Sequence, residues 1–136
     1  MIPVLVDSSA FLSLEDPRER SHPRSISALR TLVEESVLLI ATNFIFDETY
    51  TLILTRLGRQ RAVRWGDNFL GGKLVRVVRV EQTHEERAWQ IIHQYNDKDF
   101  SYTDATSFAV AEDLDIDRAF SLDEHFHQFG RFDLVP

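Results

Sequence analysis

Ile2-Pro3-Val4-Leu5-Val6-Asp7-Ser8-Ser9 decides the fold, because a short apolar run ends abruptly in an acid and two hydroxyls. A run that is apolar on both faces reads as a strand buried between two layers, as in parallel sheets covered by helices. Val37 to Ala41 repeats the pattern, and Leu74 to Val80, rich in β-branched residues, gives a third strand. Ala119 to Ser121 and Phe132 to Val135 add two short ones. Between these runs the spacing predicts helices. A short helical turn is expected near Phe11 to Leu14, then a loop over 15–23. Ile26, Leu29, Leu32 and Val33 recur at helical spacing and predict a helix over 24–35. Thr42 or Asn43 caps a helix that runs to Leu57 and stops at Gly58. Another covers 59–70, up to Gly71-Gly72. Thr83-His84-Glu85-Glu86 has the pattern of a capping box opening a helix to about Tyr95. After a loop over 96–102, a last helix runs from Thr103 to about Leu114. Strands alternating with helices mean right-handed βαβ units and a mostly parallel sheet. The fold class is α/β, with one domain over 1–136.

Composition agrees with that assignment. A chain of 136 residues, 43% hydrophobic and 27% charged, is ordinary for one globular domain. The absence of cysteine excludes disulfides, thiolate zinc sites and cysteine nucleophiles. No apolar run reaches the roughly 20 residues of a membrane helix, and the opening residues lack the charged region of a secretory signal. The expectation is a soluble, cytoplasmic protein with no membrane partner. The net charge is 15 − 22 = −7, but it is unevenly distributed. Arg56, Arg59, Arg61, Arg64, Lys73, Arg76 and Arg79 face only Asp67 within 56–79, a local balance of 7 − 1 = +6. This segment is either a nucleic-acid-binding face or a solvated surface paired with acidic loops of the same chain.

In open α/β sheets, sites form beyond the carboxyl ends of the strands. Asp7 directly follows the first strand, Asp123 follows the fourth by two residues, and Asp104 lies in the first turn of a helix. Glu48 sits inside the apolar stretch Phe44 to Leu54, where an acid is costly unless paired or bound to a cation. Each acid taken alone is adequately explained as a cap, a helix N-terminal charge or a solvent-facing group. Together they favour a shared cation site, and oxygen ligands suit Mg2+ or Mn2+ better than zinc. His22, His84, His93, His125 and His127 form no HExxH pattern, and all five are read as surface histidines. No GxxxxGK followed by Ser or Thr, no GxGxxG and no GxSxG occurs, which leaves nucleotide-loop and serine-elbow chemistry without support.

Four segments carry a family resemblance. Val4-Leu5-Val6-Asp7-Ser8-Ser9-Ala10 resembles the opening strand of PIN-domain proteins, and Thr42 to Glu48 is similar to their second acidic segment. Phe100 to Ala109, containing Asp104, resembles the third, and Ala119 to Phe126, containing Asp123, the fourth. Size and the late segment look most like VapC-type toxins of toxin–antitoxin pairs. The resemblance implies a five-stranded parallel sheet of order 3-2-1-4-5 flanked by helices. It also implies a metal-dependent endoribonuclease, a homodimer and a small cognate antitoxin. Asp47 beside Glu48 leaves open which of the two faces the site.

The mechanism expected is hydrolysis of RNA phosphodiester bonds with one or two Mg2+ or Mn2+ ions held by Asp7, Glu48, Asp104 and Asp123. Ser8, Thr42, Asn43, Thr103 and Ser107 either orient these carboxylates, bind phosphate, or serve as helix caps. Arg56, Arg59, Arg61 and Arg64 are candidates for holding the RNA backbone. The alternatives are a non-catalytic PIN-like module that binds RNA or protein, and a housekeeping RNA-processing nuclease. A phosphate-accepting receiver domain ranks low, since Ser8-Ser9 stands where it carries a second acid and the last strand region has no lysine.

Overall fold

In the computed structural model, which describes residues 1–136, the alternating runs become alternating elements. The first half comprises β1 (Pro3–Val6), α1 (Ser8–Glu15), α2 (His22–Glu34), β2 (Leu38–Thr42), α3 (Asn43–Leu57) and α4 (Arg59–Gly71). The second comprises β3 (Val75–Val78), α5 (Gln82–Gln94), α6 (Tyr102–Asp113), β4 (Arg118–Phe120), α7 (Glu124–Phe129) and β5 (Asp133–Val135). The five strands form one all-parallel sheet in the order β3-β2-β1-β4-β5, as the family resemblance implied. β1 is central, with Leu5 opposite Ile40 on one side and Ala119 on the other. The chain builds outward from β1 to β3 and then returns to place β4 on the other side of β1. This reversal leaves a crevice at the carboxyl ends of β1 and β4.

Apolar packing on both faces fixes that frame. Val4, Leu5 and Val6 are buried, as the unbroken apolar run requires. On one side Phe108 of α6 stacks on Phe129 with centroids 4.2 Å apart and meets Phe126 edge-on at 5.0 Å. A second aromatic group joins α1, α3 and α4: Phe46 stacks on Trp65 at 5.4 Å, and Phe11 meets Trp65 edge-on at 5.5 Å.

The differences from expectation are α7, a short helix not expected between the last two strands, and shifts at element ends. α1 makes two full turns where a single turn near Phe11 was expected, because Asp7 caps it. The Asp7 carbonyl accepts from Ala10 and Phe11, and its side chain from the Ser9 N–H. α2 starts at His22 and not at 24, since Pro23 fits a first helical turn where its missing N–H costs nothing. The cap of α5 is Glu81, not Thr83, and the expected Thr83–Glu86 box does not form. His84 Nδ1 accepts the Glu81 N–H at 3.0 Å, so its Nε2 must carry the proton directed at Asp113, 2.8 Å away. His84 is therefore a buried structural residue, which corrects its surface reading. His22 is also engaged, with Nδ1 donating to the Ser13 carbonyl at 2.7 Å.

Phe108→Ala removes a fully buried ring that contacts four other phenylalanines. Its expected cost is about 3–5 kcal/mol of unfolding free energy, measurable by urea titration. A loss below 1 kcal/mol would show that the α6–α7 packing does not anchor this half of the sheet.

Candidate active site

The site begins where β1 ends. Asp7 is 1% exposed, and its backbone N–H donates to the Phe120 carbonyl at 3.0 Å, which pins it to the end of β4. The Ser9 and Ser121 hydroxyls both donate to Asp7 Oδ2, at 2.8 and 3.1 Å. Ser9 Oγ also accepts the Leu122 N–H at 2.9 Å, and Ser121 Oγ accepts the Asp123 N–H at 3.1 Å. One carboxylate oxygen is thus saturated by the fold, while Asp7 Oδ1 is buried with no hydrogen-bond partner.

The other acids converge on the same crevice. Glu48, on the second turn of α3, accepts a hydrogen bond from Ser8 Oγ, and the nearby Thr103 hydroxyl also favours its ionised form. The neighbouring Asp47 is exposed, so Glu48 is the residue that faces the site. Asp104, 3% exposed, forms a reciprocal cap at the start of α6: Ser101 Oγ accepts its N–H, and its Oδ2 accepts the Ser101 N–H at 3.1 Å. The same Oδ2 accepts from His125 Nδ1 at 2.7 Å. Asp123 caps α7 by accepting the His125 N–H at 2.9 Å, and its Oδ1 lies 3.6 Å from His125 Nδ1. One ligand-type atom each from Asp104, Asp123 and His125 lies within 4.8 Å of the others.

This arrangement changes the reading of several residues. Ser8 holds Glu48 and Thr103 lies beside it, while the other three supporting candidates do not reach the carboxylates. Thr42 Oγ1 caps α3 by accepting the Ile45 N–H at 3.0 Å, and Asn43 Oδ1 accepts the Val80 N–H at 2.7 Å beyond β3. Ser107 Oγ donates to the Thr103 carbonyl at 2.8 Å. Their polar atoms are used by the backbone, which is the stronger claim on a short side chain at a helix start. The basic segment divides as well. Arg56 pairs with Glu19 at 3.1 Å, and Arg61 donates to the Glu15 carbonyl and lies 3.7 Å from its carboxylate. These two fasten α3 and α4 to the end of α1 and the loop after it, whereas Arg59 and Arg64 remain exposed.

Ser9, Ser121 and His125 were not singled out from the sequence. Ser9 and His125 each stand two residues after a site acid, and that spacing was the available signal. The surface reading of His125 is overturned. Its ring is half-buried, edge-on to Phe100 at 5.5 Å, and bonded to a site carboxylate.

The electrostatics follow from crowding in a dry crevice. Burial is the main force raising the Asp7 carboxyl to about 7, opposed by the Ser9 hydrogen bond and reinforced by the charges of Asp104 and Glu48. Burial also raises Glu48 and Asp104, with Asp104 and Asp123 adding repulsion at Glu48, and Asp123 at Asp104. Desolvation pulls His125 down, but the Asp104 hydrogen bond and the surrounding carboxylates outweigh it, so its imidazolium is favoured. A bare, buried carboxylate oxygen among mutually repelling oxygen donors is the pattern a hard divalent cation neutralises. The residues present fit such an ion.

A sign for pH dependence results. The folded state holds the Asp7 proton more tightly than the unfolded chain, whose aspartate titrates near 4. Ionised Asp7 therefore opposes folding above pH 7, and its penalty lifts as pH falls from about 7 towards 4. Asp7→Asn keeps an acceptor for the two serines and removes the charge. In chelator at pH 8 it is expected to melt higher than the parent, with a flatter pH dependence between 4 and 7. Melting curves across that range check this, and a destabilised variant at pH 8 contradicts it.

Comparison with known proteins matches this construction. A family model described as the PIN domain matches residues 4–131. A Mycobacterium tuberculosis protein named 23S rRNA-specific endonuclease VapC20 is 29% identical over 133 residues, covering 98% of both chains. Its crystal structure superposes with a TM-score of 0.86 at 28% identity, over 98% of this chain and 99% of that one. An Archaeoglobus fulgidus protein named VapC ribonuclease is 28% identical over 124 residues, 90% of this chain and 78% of the relative. With its four acids gathered at the sheet's switch point and this match over nearly its whole length, the chain belongs to the PIN-domain family.

Proposed function

We propose that this protein is the toxin of a toxin–antitoxin pair, a divalent-cation-dependent endoribonuclease that hydrolyses single-stranded or looped RNA. The observation that carries the proposal is the unpartnered, buried Asp7 Oδ1 within a cluster of four carboxylates. Asp7, Glu48, Asp104 and Asp123 would hold Mg2+ or Mn2+, which when bound lowers the pKa of water and offsets charge on the transferring phosphoryl group. The rest of the work belongs to the chain. Ser9 and Ser121 lock Asp7 with Oδ2 turned into the protein. Ser8 holds Glu48, and His125 with Ser101 holds Asp104. The relative named for 23S rRNA makes that RNA the first substrate to offer.

The antitoxin reading gains support from an apolar cavity of about 310 Å3 between α1, α2, α4 and the sheet. Phe11, Leu14, Ile26, Leu29, Trp65 and Phe69 line it and suit the apolar face of a partner helix. Trp65 and Phe69 of α4 contribute to this cavity, whereas Ile45, Thr49 and Ile53 of α3 are buried in the core. Under the same reading the protein acts in the cytoplasm, as a homodimer by family resemblance. No helix is long and apolar enough to cross a membrane.

Asp7→Asn and Asp104→Asn are each expected to reduce Mn2+-dependent RNA cleavage to background with the circular-dichroism spectrum retained. An unchanged turnover rate in either, with contaminating nuclease excluded, removes that residue from the site. The products should carry 5′-phosphate and 3′-hydroxyl ends, because water and not the ribose 2′-hydroxyl attacks. Mass spectrometry finding mainly 2′,3′-cyclic phosphate would reject this chemistry.

His125 is a positioning residue in this scheme, and two substitutions separate its hydrogen bond from its bulk. His125→Phe keeps a ring against Phe100 without a donor, and His125→Asn keeps a donor near the place of Nδ1. The first should weaken Mn2+ binding by about 10- to 100-fold and the second much less. Calorimetry measures this directly. Saturating Mn2+ should also stabilise the parent by about 2.7 kcal/mol at a hundred times Kd. Equal affinity in both variants and the parent would make His125 a packing residue only.

A further inference from the structure

The carboxylates that would bind a cation also repel RNA, so the strand needs positive charge along its path. The segment 56–79 supplies less than its composition suggests, because Arg56 and Arg61 are bound to acids of the same chain. A different surface adjoins the site. The loop before α2 and its first turn contain Arg18, Arg20 and Arg24. Arg18 folds onto Asp16 at 3.2 Å, but Arg20 and Arg24 are exposed and form no ion pair. Glu19, the acid between Arg18 and Arg20, is taken by Arg56. Arg24 stands in the first turn of α2, which contains no acid, although the helix dipole disfavours a cation there. Positive charge therefore accumulates against local helix electrostatics.

Two depressions connect this charge to the crevice. One, about 400 Å3, is lined by Glu19, Arg20, Ser21, Arg24 and Leu122. The other, about 380 Å3, shares Arg24 and Leu122 and extends to Ser121 and Asp123, with His127 and Glu124 on its wall. Ser121 is the residue whose hydroxyl holds Asp7. The depression beside Arg59 and Arg64 is lined by α4 alone and shares no residue with the carboxylate cluster.

We infer that the groove running from Asp123 and Ser121 past Leu122 to Arg24 and Arg20 is the track for the phosphate backbone of the RNA strand next to the scissile bond. The inference rests on the ribonuclease reading and adds the substrate's path to it. The two arginines bind successive phosphates electrostatically, and Leu122 offers an apolar contact between them and the carboxylates. Such contacts hold the backbone without reading sequence, so they serve any RNA the site accepts.

The test uses a fluorescent 12-nucleotide oligouridylate, with anisotropy measured in chelator over a range of salt. Arg20→Gln/Arg24→Gln is expected to weaken binding about tenfold at low salt. The slope of log K against log salt should fall by about 1.4, the value for two lost phosphate contacts on a single strand. In Mn2+ the same variant should raise KM with kcat kept within about twofold. Arg59→Gln/Arg64→Gln serves as comparison. Unchanged affinity and slope in the Arg20/Arg24 variant overturn the track. So does a loss confined to the Arg59/Arg64 variant, or a parent that fails to bind the oligonucleotide. If those results accompany Mn2+-dependent cleavage that Asp7→Asn abolishes, the track fails and the ribonuclease reading stands. If the parent cleaves no RNA but binds with the arginine-dependent slope, the groove stands as a nucleic-acid surface and the catalytic reading fails.

Discussion

The Asp7 carboxylate held between Ser9 and Ser121 is the constraint on which the rest of the site depends. Its backbone closes the β1–β4 junction, its carbonyl starts α1, and its Oδ2 collects two hydroxyl protons from opposite sides of the crevice. Through those serines it also fixes the backbone at Leu122 and Asp123, so the first and fourth acids share one hydrogen-bonded frame. A buried carboxylate is costly, and one with an unpartnered oxygen more so. The parallel sheet supports that cost because its central strands are packed on both faces and cannot easily relax.

The other acids are placed by helix starts. Asp104 sits three residues into the reciprocal cap with Ser101, and Asp123 is itself the cap of α7. Capping and cation binding are not competing explanations at these positions. The cap uses one oxygen to fix the carboxylate, and the helix N-terminus partly offsets its charge. At Asp7 and Asp104 the fold bonds one oxygen, and at Asp7 the other is left bare in the crevice. Glu48 lacks this support and relies instead on the hydroxyl contributed by Ser8.

Charge is distributed by the same economy. The segment richest in arginine spends Arg56 and Arg61 on fastening α3 and α4 to the end of α1 and the loop after it. Engaging Glu19 in that contact removes the acid nearest Arg20. A composition count places the basic face on 56–79, while pairing moves the free positive charge beside the site towards the start of α2.

The strands, the longer helices between them and the four acids were legible in the sequence because each is a local signal. Buried strands read as unbroken apolar runs, helices show their 3.6-residue period, and an acid at a strand end or inside an apolar helix stands out by its expense. The resemblance then supplied the strand order that periodicity does not encode. Partners distant in sequence were not legible. His125 joins Asp104 across 21 residues, and Ser121 joins Asp7 across 114. His84 pairs with Asp113 across 29, and Arg56 with Glu19 across 37. A histidine, serine or arginine has the same sequence appearance whether it faces water or a buried carboxylate. Tertiary structure decided which of them became part of the site, because only packing brings distant donors into hydrogen-bond reach of an acid and excludes the water that would otherwise take their place.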